Sequence, residues 1–127
     1  MTIKKCSDLD VYNLSFDVAM EIFKETKHFP KEELYSLVDQ IRRSSRSVPA
    51  NIREGFAKRK YVDVFIRHLN DALGSSEETM TWLDFSQQCG YLAKDKHLVL
   101  SKQYEKIGAM LYKLMQNWEK FQKEVTR

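Results

Sequence analysis

The chain has 127 residues, with 21 Lys and Arg against 18 Asp and Glu and a net charge of +3. That is one domain's worth of chain, enough to bury a core without staples. With 43% apolar residues, four glycines and two prolines, the composition excludes wholesale disorder and disfavours a strand-and-turn fold.

The elements expected are four helices, at about residues 9–27, 31–58, 62–89 and 94–123 of a single domain spanning 1–127. In the first, Ser7 or Asp8 can cap the free N–H groups of the opening turn, and Val11, Leu14, Val18 and Ile22 recur at helical spacing. His28-Phe29-Pro30 breaks the pattern, with Pro30 suited to a helix's first turn. In the second segment Leu34, Leu37, Val38, Ile41, Ser45, Val48, Ile52 and Phe56 hold one stripe. Pro49 sits inside that stripe. Because the pattern resumes at Ile52, a kink is expected there rather than an end.

Phe65, Leu69, Ala72, Ser76, Met80 and Leu83 mark the third helix, with Gly90 as its C-cap. The fourth runs through Leu100, Tyr104, Ile107, Leu111, Leu114, Trp118, Phe121 and Val125. That seven-residue repeat suits near-antiparallel bundle packing. Short breaks between long helices lead to an all-α fold: an antiparallel up-down-up-down four-helix bundle with a short first helix and a proline-kinked second. At ~1.5 Å per residue the first helix spans about 28 Å and the others about 42–45 Å. The end left bare would carry Arg53, Lys58, Arg59, Lys60 and Arg67 with Phe56, Tyr61, Phe65, Trp118 and Phe121, a place to look for a partner.

Cys6 and Cys89 have neither metal spacing nor a disulfide pattern and read as thiols of a reducing compartment. No signal peptide is read in residues 1–10, and no apolar run approaches ~18 residues, so a cytoplasmic protein without a membrane partner is expected. Enzyme motifs fail on spacing. Only Glu25 and His28 match the Glu-x-x-His pair of a di-metal bundle, which needs two such pairs. Helical ribonucleases set an Arg before a His with four or six residues between. Before His68 those places hold Asp63 and Tyr61, and His28 and His97 also lack the Arg. No phosphate loop, zinc spacing or nucleophile elbow appears. The three histidines read as surface residues; no catalytic residue, metal or cofactor is expected.

Charge is unevenly placed. Residues 42–67 hold eight Lys and Arg against two acids, a local +6 that leaves the rest at −3. At about 100° per residue, Arg42, Arg46, Arg53 and Lys60 fall within about 40° of one another. Such a row suits phosphates, which need repeated positive donors; a solvated helix face is the alternative. Arg42, Arg46, Arg53, Lys58, Arg59, Lys60 and Arg67 are the candidate nucleic-acid contacts. A second row, Arg43, Ser47, Asn51 and Glu54 with Gly55 beside it, lies off the main apolar face. Its small polar residues suit a helix or subunit contact, the alternative being local pairing such as Glu54 with Lys58.

The segment Ser47-Val48-Pro49-Ala50-Asn51-Ile52-Arg53-Glu54-Gly55-Phe56 resembles the signature Ser-x-Pro-x-Asn-Ile-x-Glu-Gly of the four-helix-bundle proteins encoded in 23S rRNA intervening sequences. Ala72-Leu73-Gly74-Ser75-Ser76-Glu77-Glu78 is similar to that family's Gly-Ser followed by Glu, so Gly74, Ser75 and Glu78 join the motif residues. Gly90-Tyr91-Leu92 fits the end of its third helix, and Asp10-Val11-Tyr12 with Leu14-Ser15 fits its opening. Arg53 stands where the family often has Ala. The resemblance implies a closed homo-oligomer, commonly a pentamer, and mostly no demonstrated activity. It also implies kinship with a basic accessory protein of diversity-generating retroelements that binds a reverse transcriptase. The function expected is a non-enzymatic oligomeric binding or scaffold module contacting RNA, a ribonucleoprotein or DNA. A purely structural oligomer and a small RNA-processing enzyme are the alternatives.

Overall fold

Four helices follow one another: α1 (Asp10–Thr26), α2 (Leu37–Ala57), α3 (Val62–Gln88) and α4 (Lys94–Val125), with 3-10 turns at Cys6–Asp8 and Lys31–Glu33. The computed structural model describes residues 3–125, and side chains through residue 118. Among the described residues there is no strand. Helix α1 packs on α2 and α4, and α3 packs on the same two, so the four form a bundle. Successive helices meet in opposing sequence order. Ser44 touches Thr79, Ser47 touches Ser75 and Asn51 touches His68 across α2 and α3. Asp84 meets His97 and Phe65 meets Trp118 across α3 and α4.

The core is the stripe of each helix turned inward. Val11, Val18 and Ile22 meet Ile41, Val48 and Ile52, Phe65, Leu69 and Leu83, and Leu100, Tyr104, Ile107 and Leu111, all at most 3% exposed. Each such side chain removed from water contributes roughly 1.5–3 kcal/mol. The side chains of Phe121 and Val125 lie outside those described. Among the described residues no helix is long and apolar enough to cross a membrane.

Two connections differ from the sequence expectation. Helix α2 begins at Leu37, not Lys31. Pro30 is extended, Lys31–Glu33 form a 3-10 turn, and Ser36 is off helical geometry at φ −126° and ψ −98°. Its hydroxyl donates to the Glu33 carboxylate at 2.6 Å, a local bond that competes with helix. Leu34 and Tyr35 are 44% and 91% exposed, so Leu34 belongs to no buried stripe. Tyr91 donates to the other Glu33 oxygen at 2.9 Å and packs its ring on Phe29, tying together the two connections at this end. These two bonds hold the Glu33 carboxyl below its usual range, while Glu33 pushes the Tyr91 phenol up to about 12. At Gly90 the chain turns with φ +81°. Gly90 N–H donates to Gln87 O and Tyr91 N–H to Ser86 O, the paired bonds of a Schellman end that favour glycine.

The second difference is at the opposite end, expected to be bare. Helix length alone misses Ile3–Leu9, a segment that is not α-helical. The N–H groups of Lys4 and Lys5 donate to the Asp8 carboxylate at 3.0 and 3.1 Å. The segment packs on α1 and α2, and buries Cys6 and Leu9 in the core. Burial pushes the Cys6 thiol up. Phe56 and Phe65 are 5% and 0% exposed and stack edge to face, Phe65 against Trp118 as well. The end is aromatic and closed; Tyr61 alone of the described aromatic residues named there stays largely exposed.

One buried polar atom breaks the pattern. The Tyr104 hydroxyl has no hydrogen-bond partner among the described residues. Burial drives its phenol far above the ordinary value, with the Thr79 hydroxyl pulling the other way. Thr79 already bonds Ser44 and the Ser75 carbonyl, each at 2.8 Å. An unmet buried hydroxyl costs roughly 1–3 kcal/mol. Tyr104→Phe should therefore hold or raise the melting temperature; a fall of more than about 5 °C in thermal unfolding would show that the hydroxyl has a partner.

Candidate functional site

Helix α2 carries the candidate residues on two flanks. The flank toward α3 bears Ser44, Ser47, Asn51 and Gly55, spaced three or four residues apart and therefore on one line. Ser44 accepts from Thr79 at 2.8 Å, and the Ser47 and Ser75 hydroxyls pair at 2.9 Å. Asn51 donates its amide to the Ser47 carbonyl and hydroxyl, both at 3.0 Å, and its oxygen faces His68 Nδ1 at 3.2 Å. That oxygen can only accept, so His68 carries its proton on Nδ1. At Gly55 a side chain of α3 comes up against the α2 backbone. A Cβ built there would lie 2.5 Å from His68 Cβ and 3.1 Å from Phe65 Cδ1. Only glycine allows the approach.

Of the motif residues, Ser47, Asn51, Gly55 and Ser75 thus form a polar seam within the chain. Pro49 lies inside α2 on the opposite flank, and the helix continues past it to Ala57. A methyl group added at Gly74 would have open space around it, with no atom within 4 Å, and Glu78 accepts from the Trp82 indole at 2.9 Å. Arg43 is exposed. The sequence reading places His68 at the surface; it is half-buried, with its Nδ1 against Asn51. His97 is likewise half-buried, bonding Asp84 at 2.8 Å. A His seven residues before the seam's Ser75 is the only sequence signal for the first of these contacts.

The seven basic candidates divide into two groups. Arg42, Arg46 and Arg53 lie along the α1 flank of α2. Arg42 donates from Nε to Thr26 at 2.9 Å, and its guanidinium lies 4.7 Å from the Phe23 ring centre. Arg46 stacks on the same ring at 5.6 Å. Burial, then Arg46, lowers the Arg42 pKa. Arg53 reaches the Tyr12 hydroxyl at a long 3.5 Å, a contact that raises its pKa. Lys58, Arg59, Lys60 and Arg67 gather instead around the α2–α3 turn and the start of α3. Lys58 pairs with Glu54 at 3.4 Å, an exposed pair of little energetic weight. Arg59 lies 4.0 Å over Phe56, and Lys60 sits beside Tyr61.

Sequence reasoning missed a groove between α1 and α2. It encloses about 530 Å³ and is lined by Tyr12, Phe16, Ala19, Met20, Pro49 and Ala50, with Arg46, Arg53 and Glu54 at its margin. Phe16 and Met20 are 49% and 44% exposed. The signal was present as a second row on α1, Tyr12, Phe16, Ala19 and Phe23, outside the main stripe. Among the described residues no three His, Cys, Asp or Glu side chains gather as a metal site. The groove's chemistry is that of contact: apolar area with fixed cations beside it.

The model of the 23S rRNA-intervening sequence protein family matches residues 7–113. The chain is also similar to a crystal structure from Bacteroides thetaiotaomicron, described as a protein with unknown function from the S23 ribosomal protein family. The two share 26% identity and a TM-score of 0.75, over 83% of this chain and 97% of that one. No curated protein sequence matches.

The two seam-region glycines make opposite predictions for one substitution. Gly55→Ala forces α2 from α3 and should cost about 1–3 kcal/mol. Gly74→Ala meets nothing and removes a flexible residue from a helix, so it should gain roughly 0.5–1 kcal/mol. Urea unfolding of the two variants checks both signs; equal effects would contradict the close approach at Gly55.

Proposed function

Because this chain belongs to the 23S rRNA-intervening sequence protein family, we propose that it is a non-enzymatic helical bundle that assembles with copies of itself and holds a nucleic-acid backbone. The observation that carries the nucleic-acid half is the gathering of Lys58, Arg59, Lys60 and Arg67 at one end of the bundle. Lys4 and Lys5 stand exposed on the segment that closes that end. Phosphates bind such repeated cations without needing a shaped pocket. Support for self-assembly comes from the apolar groove, where the large side chains Phe16 and Met20 stay 49% and 44% exposed beside Pro49 and Ala50. The assembly proposed is a closed ring, five copies being the number the family resemblance implies, in the cytoplasm.

A second reading is a purely structural oligomer. It draws on the engagement of Arg42 and Arg46 with Phe23 and of Lys58 with Glu54, which leaves fewer free cations.

Titration of short RNA and DNA at two salt concentrations separates the readings. With about four phosphate contacts per subunit, duplex affinity should fall with a log–log salt slope of about −3.6. Lys58→Glu, Lys60→Glu and Arg67→Glu combined should abolish binding while helix content stays unchanged. No affinity at low salt, or a triple variant that binds as well as the wild type, favours the structural oligomer.

A further inference from the structure

The α1–α2 groove has a counterpart on the far side of the bundle. Among the described residues the backbones of α1 and α3 do not lie side by side, nor do those of α2 and α4, so the outer α1–α2 and α3–α4 faces are opposite one another. On α3 the residues Leu73, Glu77, Met80 and Asp84 stand four, three and four apart. On α4 so do Ser101, Glu105, Gly108 and Tyr112. Each set is one row of its helix. The rows adjoin: a Cβ at Gly108 would lie 3.5 Å from Leu73, and His97 bonds Asp84. Glu77, Asp84 and Glu105 are exposed, Tyr112 is 60% exposed, and neither row contains a Lys or Arg.

The α1–α2 face has the same construction with the opposite charge. Tyr12, Phe16, Ala19 and Phe23 form its α1 row, and Arg42, Arg46, Pro49 and Arg53 its α2 row, again at spacings of four, three and four. Three arginines, with Glu54 beside Arg53, flank apolar ground on one side of the molecule, and three carboxylates, Asp84 among them bonded to His97, flank apolar ground on the other.

The geometry points to a head-to-tail contact in which the α1–α2 groove of one copy receives the α3–α4 face of the next. This rests on the self-assembly reading and names its two surfaces. Charge selects the occupant. A groove against a groove would set arginines against arginines, and the far face against itself would set carboxylates against carboxylates; like charges across a contact are repelled. Only the groove-to-face pairing matches apolar area with apolar area and opposite charge with opposite charge. A contact between different surfaces leaves one of each kind free at the ends of any chain of copies, and closes only as a ring.

Two variants and their mixture test the pairing. Phe16→Asp with Met20→Asp spoils the groove; Glu77→Lys with Glu105→Lys spoils the far face. All four positions are exposed, so circular dichroism should show wild-type helix content in both. By light scattering, the wild type should exceed the mass of one chain and each variant should run at 15.1 kDa. An equimolar mixture should give a species of twice that mass and nothing larger, because one intact groove and one intact face remain. A mixture that stays monomeric, or a far-face variant as large as the wild type, overturns the pairing while leaving self-assembly standing. An occupant other than a second copy would leave wild type and both variants at the mass of one chain. That outcome overturns both the pairing and the self-assembly reading.

Discussion

The approach of α2 to α3 at Gly55 is the constraint from which the rest of the molecule follows. With 2.5 Å between a would-be Cβ and His68 Cβ, the two helices run closer than any side chain at position 55 would allow. Close backbones bring short polar side chains within reach of one another, and Ser44, Ser47 and Asn51 meet Thr79, Ser75 and His68. Each of these buried or half-buried groups has a partner, which is the condition under which a polar seam stabilises rather than costs. With that seam set, the apolar stripe of α2 faces the core. The opposite flank, with Pro49 and three arginines, is turned toward α1.

The division of α2 into a polar flank and a cationic flank separates roles that one helix would otherwise mix. Ser47, Asn51 and Gly55 meet α3 inside the bundle. The exposed cations are elsewhere, along the α1 groove and around the α2–α3 turn. Arg53, which replaces the family's frequent Ala, lies on the groove side beside Tyr12. Its charge therefore lies on the groove, away from the α2–α3 seam.

Much of the fold was legible in the sequence because period and burial coincide: Leu100, Tyr104, Ile107 and Leu111 are an inward row both by spacing and by exposure. Gly90 announced its left-handed turn. The failures have physical reasons too. Leu34 satisfied the helical period of α2, yet Ser36 and Glu33 close a local bond that delays the helix by two turns. Cys6 and Leu9 carry no periodicity at all, so their burial over the aromatic end was invisible. For the site, a row of charges was visible but not the partners that divide it. Whether Arg42 is free or held on Phe23 depends on where α1 lies, and spacing along α2 says nothing of that.

Native-state hydrogen exchange tests the primacy of the α2–α3 seam most directly, because it reads the stability of each helix separately. The amides from Ser44 to Phe56 and from Phe65 to Thr79 should exchange slowest in the wild type. In Gly55→Ala both sets should speed up together, by a common factor. Slowest exchange in α4, or acceleration of α2 while α3 keeps its protection, would contradict the account.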